Sequence, residues 1–187
     1  MYRTRVGYAG GTKANPTYHR MGDHTETLEV DFDPGQVSYK ELLEVFWRSH
    51  NPSRQPWSRQ YMSIVFYHSE KQLQDIEADK VFLEQQKGKV VKTKIRAAGE
   101  FYRAEAYHQK YYLQLIRDLM KEFSKFYPRV DDFINSTAAA RINGYVKGTG
   151  SFEKLRGEVD SYGLTPQGKE KLLNIVAGYK NQVLQRL

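Results

Sequence analysis

The sequence predicts an α+β fold: a mixed β-sheet flanked by helices, followed by a helical C-terminal extension. Short stretches with two-residue apolar alternation are interleaved with stretches of helical periodicity that open on capping residues. Their order reads strand, strand, helix, strand, helix, strand, helix, which is neither all-α nor all-β. Beyond Pro128 the strand signals stop, and Thr165-Pro166 marks a helix start, an N-cap followed by proline in the first turn. The expected division is residues 1–127 for the α+β domain and 128–187 for the helical extension.

The elements follow in order. RTRVGYAGG, from Arg3, reads as a short strand running into a glycine-rich turn. ANPTYHRMGDH is a loop, because Asn15-Pro16 disfavours helix and Gly22-Asp23 is turn chemistry. Leu28, Val30 and Phe32 alternate with Glu29 and Asp31, a half-buried strand closed by Asp33-Pro34-Gly35. Ser38 and Glu41 form a capping-box pattern ahead of LLEVFW. That helix should bury Leu42, Val45 and Phe46 and end between Ser49 and Asn51, before Pro52. YMSIVFY is a compact apolar strand. Ser69 with Gln72 offers a second cap, and Leu73, Ile76 and Leu83 mark the buried side of a second helix. KVVKTKI is the next strand, and FYRAEAYHQKYYLQLI is expected to open a third helix.

Composition narrows the class. The chain has 187 residues, 40% hydrophobic and 27% charged, a globular rather than a disordered mix. Its 14 Tyr can build a core, and their hydroxyls can line a polar pocket. No apolar run approaches the roughly 20 residues of a membrane span. The start, MYRTRVGYAGG, lacks the apolar middle of a signal peptide. An intracellular, cytoplasmic protein that does not engage membranes is therefore expected. The net charge of +7 permits nucleic-acid binding without demanding it. Its densest part, Lys87, Lys89, Lys92, Lys94 and Arg96, has strand periodicity in its second half. It reads as a solvated face, or as an edge strand that uses lysines to refuse partners. No aromatic platform interleaves with it, so nucleic acid is not the expected partner. The chain has no cysteine, which excludes disulfides, cysteine-bound zinc and a cysteine nucleophile. The histidines have no HExxH-type spacing, so no metal site is expected.

Several polar residues sit at the ends of these elements. GYAGG, with Gly10 and Gly11, lacks phosphate-loop spacing and fits either a turn or a tight backbone path beside a pocket. NPTY supplies Tyr18. DHTETLEV supplies His24 and Glu26 at the start of a strand, and RQYMSIVFY supplies Tyr61 at the start of another. FYRAEAYHQKYY supplies Tyr102, Glu105, Tyr107 and His108 on the expected third helix. Taken singly, each has a structural reading: a solvated carboxylate, a packed phenol ring, a hydrogen-bonded buried imidazole.

Taken together, GYAGG, NPTY, HTE with its alternating strand and DP, SYKELLEVFWRSH, RQYMSIVFY and FYRAEAYHQKY resemble the A-type peptide methionine sulfoxide reductases in order and spacing. The resemblance is close over residues 3 to 112 and continues through NGYVKG and SYGLTP into a longer tail of the kind some animal members carry. It implies a ferredoxin-like two-layer core. It also implies reduction of the S epimer of methionine sulfoxide, free or in proteins, by a cysteine thiolate that attacks sulfur while an acid protonates oxygen. Thioredoxin or another dithiol would then restore the thiol, with no bound cofactor, and the protein would act as a monomer. The match assigns the acid to Glu26, whose carboxyl must be kept protonated by burial. It assigns the sulfoxide-oxygen donors to Tyr18 and Tyr61. His24, Gly10, Gly11, Tyr102, Glu105 and His108 take supporting places.

Three departures stand out. The family nucleophile lies in a GCFW motif upstream of GYAGG, outside this sequence. That motif also supplies the Phe and Trp that hold the substrate methyl group. The aspartate that usually precedes the second pocket tyrosine is replaced within SRQPWSRQY, and the loop before Glu26 is shorter than usual. The C-terminal resolving cysteines of many members are absent. The expectation is a chain that derives from a longer reductase through an internal start at Met1, for example past a selenocysteine codon read as a stop. It should be inactive as it stands. The alternatives are a non-catalytic binder of oxidised methionine and a basic RNA-binding module.

Overall fold

The computed structural model describes residues 2–184 and divides into two compact units, residues 6–105 and residues 2–5 with 106 onward. The first unit is mixed α/β with small sheets flanked by helices, and the second is helical.

In the first unit, β1 (Arg3–Ala9, whose first residues count with the second unit) lies between β2 (Thr25–Asp31) and β5 (Phe101–Arg103). β1 and β5 are antiparallel, with Gly7 opposite Arg103 and Ala9 opposite Phe101. A separate parallel pair joins β3 (Ile64–Tyr67) to β4 (Lys94–Ala97), with Ile64 opposite Lys94 and Phe66 opposite Arg96. Between them in sequence run α1 (Tyr39–Arg48) and α2 (Glu70–Lys87).

Both helices start where their caps require. The Glu41 N–H donates to Ser38 Oγ at 3.2 Å, and the Ser38 N–H donates to Glu41 Oε2 at 2.7 Å, closing the capping box. The backbone N–H and hydroxyl of Ser38 hold the Glu41 carboxyl below its ordinary pKa. The Ser69 hydroxyl accepts from the Gln72 N–H, and Gly88 takes the left-handed conformation just past α2. α1 buries Leu43 and Trp47, with Phe46 packed beside them, and Val45 is 66% exposed. The buried stripe is thus one residue out of phase with the expected Leu42–Val45–Phe46 face. Positions 43, 46 and 47 are the i, i+3, i+4 set that packs with Ile76 of α2 and Val91.

Three further expectations change. Tyr102 and Arg103 lie on β5, not on a helix; the third helix is broken into a 3₁₀ turn at residues 106–108 and α3 (Tyr111–Gln114). Pairing with β1 outweighs the helical propensity of Ala, Glu and Gln in this stretch. The fourth strand starts at Lys94, five residues later than the pattern suggests. On β2, Leu28 is 59% exposed, so the alternating face is only partly covered among the described residues.

The second unit continues with α4 (Arg117–Phe126), α5 (Val130–Asn135), α6 (Thr137–Val146), α7 (Phe152–Glu158) and α8 (Pro166–Leu184). Its core gathers Leu113, Leu119, Phe123, Ile134, Ile142, Leu155 and Leu172. α8 opens as its sequence dictates: Thr165 Oγ1 accepts from the Gly168 N–H at 3.2 Å. The buried Lys110 ammonium donates to the carbonyls of Thr4 and Ile134, the latter at 2.9 Å.

Candidate active site

The glycine turn after β1 is demanded by its neighbours. Gly10 has φ +78°, and a Cβ there would lie 2.8 Å from the Phe66 ring. A Cβ on Gly11 would lie 2.6 Å from the backbone nitrogen of His24. That closeness lets the Gly11 N–H donate to His24 Nδ1 at 3.1 Å. His24 is buried, and its Nε2 lies 2.8 Å from the Lys13 carbonyl. With Nδ1 accepting, this network assigns the proton to Nε2. Asp23 fixes the same loop by accepting from the N–H groups of Thr12 at 2.8 Å and Lys13 at 3.3 Å. The Thr12 N–H is the main reason its carboxyl is pulled down to about 2. The edge of the His24 ring meets Tyr102 at 5.4 Å between centroids. The Tyr102 phenol donates to Glu100 at 2.6 Å, which holds its pKa above the ordinary value.

Tyr18 opens a 3₁₀ turn at residues 18–20. Glu105 holds it there: one carboxylate oxygen accepts from the Tyr18 N–H at 3.1 Å and the other from the buried Tyr8 hydroxyl at 2.7 Å. Tyr61 comes from the loop before β3. Its phenol is raised above its ordinary pKa first by a hydrogen bond with the Tyr18 phenol, then by burial and by the charge of Glu26. Gln60 ties the group together. Its Nε2 donates to Glu26 Oε1 at 2.6 Å and to the Tyr61 hydroxyl at 3.2 Å. The backbone repeats the link, with the Glu26 N–H donating to the Gln60 carbonyl at 3.1 Å and the Thr25 hydroxyl to the Arg59 carbonyl at 3.0 Å. Trp57, 77% exposed, stacks on Tyr61 with centroids 4.8 Å apart.

Tyr18, Tyr61 and Glu26 are therefore gathered in one cluster, with His24, Gly10, Gly11, Tyr102 and Glu105 supporting the loops that carry them. His108 lies in the second unit, in the 3₁₀ turn at residues 106–108, against the Tyr107 ring. Glu26 itself is exposed, against the burial that a protonated acid calls for. Gln60 and Trp57 were not singled out from the sequence. An amide beside a pocket tyrosine has no periodicity or spacing to mark it, and Trp57 reads as a loop aromatic. Among the described residues no group of three or more His, Asp or Glu is placed to hold a metal. No described helix is long and apolar enough to cross a membrane.

Two phenol hydroxyls beside a carboxylate, on a mixed α/β unit, place hydrogen-bond donors and an acceptor within one cluster. Residues 1–141 match the peptide methionine sulfoxide reductase family, and the chain belongs to it. It is 42% identical over 170 residues to a peptide methionine sulfoxide reductase of Drosophila melanogaster, covering 90% of this chain and 68% of that protein. It is 41% identical over 160 residues to peptide methionine sulfoxide reductase A5 of rice, Oryza sativa subsp. japonica, covering 76% and 58%. Among solved structures, Mxr1 from Saccharomyces cerevisiae in reduced form superposes with a TM-score of 0.55 at 30% identity. That match covers 59% of this chain and 69% of Mxr1. The chain thus spans 58% to 68% of the length of these curated relatives.

Proposed function

We propose that this chain recognises methionine sulfoxide, and that the Tyr18–Tyr61–Gln60–Glu26 cluster is where the sulfoxide group binds. The observation that carries the reading is that cluster in a member of this family. The two phenols donate to the sulfoxide oxygen without bringing charge into the site. Glu26 supplies the proton. Its Oε1 is held by Gln60, which leaves Oε2 for the substrate, and a bound substrate would exclude the water that now reaches the carboxyl.

Reduction needs a nucleophile that these 187 residues do not contain, since there is no cysteine. A thiolate or selenolate from outside this sequence would bond to the sulfoxide sulfur while Glu26 protonates the oxygen, which leaves as water once a second proton reaches it. Water then attacks the sulfur or selenium of the nucleophile, breaking its bond to the methionine sulfur and releasing a proton, so that methionine leaves and a sulfenic or selenenic acid remains. Two thiols of a thioredoxin-type dithiol then become a disulfide, regenerating the nucleophile and releasing water.

The test is to assay the purified chain with methyl sulfoxides and dithiothreitol, then to repeat the assay with a GCFW-bearing strand and helix joined upstream. The chain alone should give no turnover above the buffer blank. The extended form should reduce the S epimer and lose far more rate than binding in Glu26→Gln. Turnover by the chain alone would overturn this mechanism, and full activity in Glu26→Gln would move the acid elsewhere. If the extended form binds but never turns over, the non-catalytic reading replaces the enzymatic one.

A further inference from the structure

The cations between α2 and β4 have no role in the site just described. Lys87, Lys89, Lys92, Lys94 and Arg96 are all exposed. Among the described residues no carboxylate forms an ion pair with any of them. Lys92, Lys94 and Arg96 project from one face, while Val91 and Thr93 between them are buried and Ile95 packs on the core of α1 and α2. The inner edge of this ribbon is bonded: the N–H groups of Lys92, Lys94 and Ala98 donate to the carbonyls of Pro52, Ser63 and Tyr67 at 2.8, 3.0 and 2.8 Å. β4 is the last strand of its sheet, and among the described residues no strand pairs with its outer edge. At the far end the Arg96 guanidinium donates to the Gly10 carbonyl at 3.0 Å. The ribbon therefore ends beside the glycine turn that holds His24.

Lysines on an edge repel a basic strand and strip water unwillingly for a neutral one. The same charges attract an acidic strand, and an extended peptide on a free edge gains backbone hydrogen bonds as well. We propose that the outer edge of β4 docks extended acidic polypeptide segments. Acidic stretches around an oxidised methionine are then the protein substrates this chain favours, a consequence that rests on the function proposed above. A single-stranded nucleic acid would also meet the charge. It would need rings to stack on, and the aromatic residue opposite Arg96, Phe66, is packed against Gly10.

The docking test uses fluorescence anisotropy of the whole chain with a labelled, methionine-free peptide of alternating Glu and Thr. Three comparisons accompany it: a Lys-for-Glu peptide, an acidic peptide N-methylated at alternate residues, and an oligouridine of equal charge. The acidic peptide should bind, and roughly 0.3 M salt should weaken it by about tenfold or more. The double substitution Lys92→Glu and Lys94→Glu, both on exposed side chains, should do the same while leaving the circular dichroism unchanged. The N-methylated and basic peptides should bind far less. Equal binding of acidic and basic peptides, indifference to the charge reversal, or tighter binding of the oligouridine would each overturn the proposal. Adding one methionine S-sulfoxide to the acidic peptide separates the two readings. If docking persists but the sulfoxide adds nothing, the edge stands and the sulfoxide site falls. If a short neutral sulfoxide binds and the acidic peptide does not, the site stands and the edge falls.

Discussion

Removing the carboxylate of Glu105 should cost the first unit more than any other single change near the site. Its two oxygens accept from the Tyr18 N–H and from the Tyr8 hydroxyl, and Tyr8 is only 2% exposed. Glu105→Ala deprives both donors of this acceptor. Hydrogen bonds to charged groups are worth about 1.5–3 kcal/mol each, so the change should destabilise by about 3–5 kcal/mol. That is a large share of a typical stability of about 5–15 kcal/mol. Glu105→Gln keeps the shape. The amide oxygen can still accept from the Tyr18 N–H, and the NH₂ can donate to the Tyr8 oxygen if the phenol turns its hydrogen away. What is lost is charge assistance and one donor's partner, about 1 kcal/mol. Urea unfolding followed by tryptophan fluorescence reads this unit alone, because Trp47 and Trp57 both lie in it. Equal losses in the two variants, or an Ala variant within about 0.5 kcal/mol of the parent, would refute the claim that Glu105 anchors the Tyr18 turn.

Gly11→Ala should destabilise by about 1–3 kcal/mol, since the added methyl meets the His24 backbone and the crowded atom cannot turn aside. Gly99→Ala, whose Cβ meets nothing within 4 Å, is the control that should stay near neutral by the same urea titration. Burial pushes the Lys110 ammonium down to about 8 from 10.5, helped by the charge of Arg5. The unfolded chain holds this proton longer than the folded one, so the group makes stability rise with pH above about 8. Between about pH 8 and 9.5, below the phenol titrations, the rise should be about 1–2 kcal/mol. Circular dichroism melts should show it in the parent and not in Lys110→Met; an equal slope in both would assign the rise to other groups.

Much of this architecture is written locally. The Ser38–Glu41 box, the Ser69 cap and Thr165-Pro166 each fix a helix start through two or three residues, and all form as their sequences dictate. What escaped the sequence depends on distant partners. β5 exists because β1 pairs with it across more than ninety residues; alone, its Phe, Tyr and Arg run into Ala104, Glu105, Ala106 and Gln109 and read with them as helix. The buried stripe of α1 is set by Ile76 and Val91, which a helical wheel does not contain. Glu26, Tyr18 and Tyr61 could be named only through the resemblance, because a strand-end carboxylate and two loop phenols carry no spacing of their own. That Gln60 joins Glu26 to Tyr61, and that Glu26 stands exposed, follow from how the loop before β3 lies along the start of β2.

The most direct measurement is binding of N-acetyl-methionine S-sulfoxide amide to the chain itself, compared with the R epimer and the unoxidised amide. Trp57 lies on Tyr61, and Trp47 is buried in the α1–α2 core, so tryptophan fluorescence reports ligand at the pocket against an internal reference. The S epimer should give a saturable change, the R epimer a weaker one and unoxidised methionine none. Tyr18→Phe and Tyr61→Phe together should lose most of it. Indistinguishable titrations for all three ligands, or an unaltered response in the double variant, would contradict the proposed sulfoxide site.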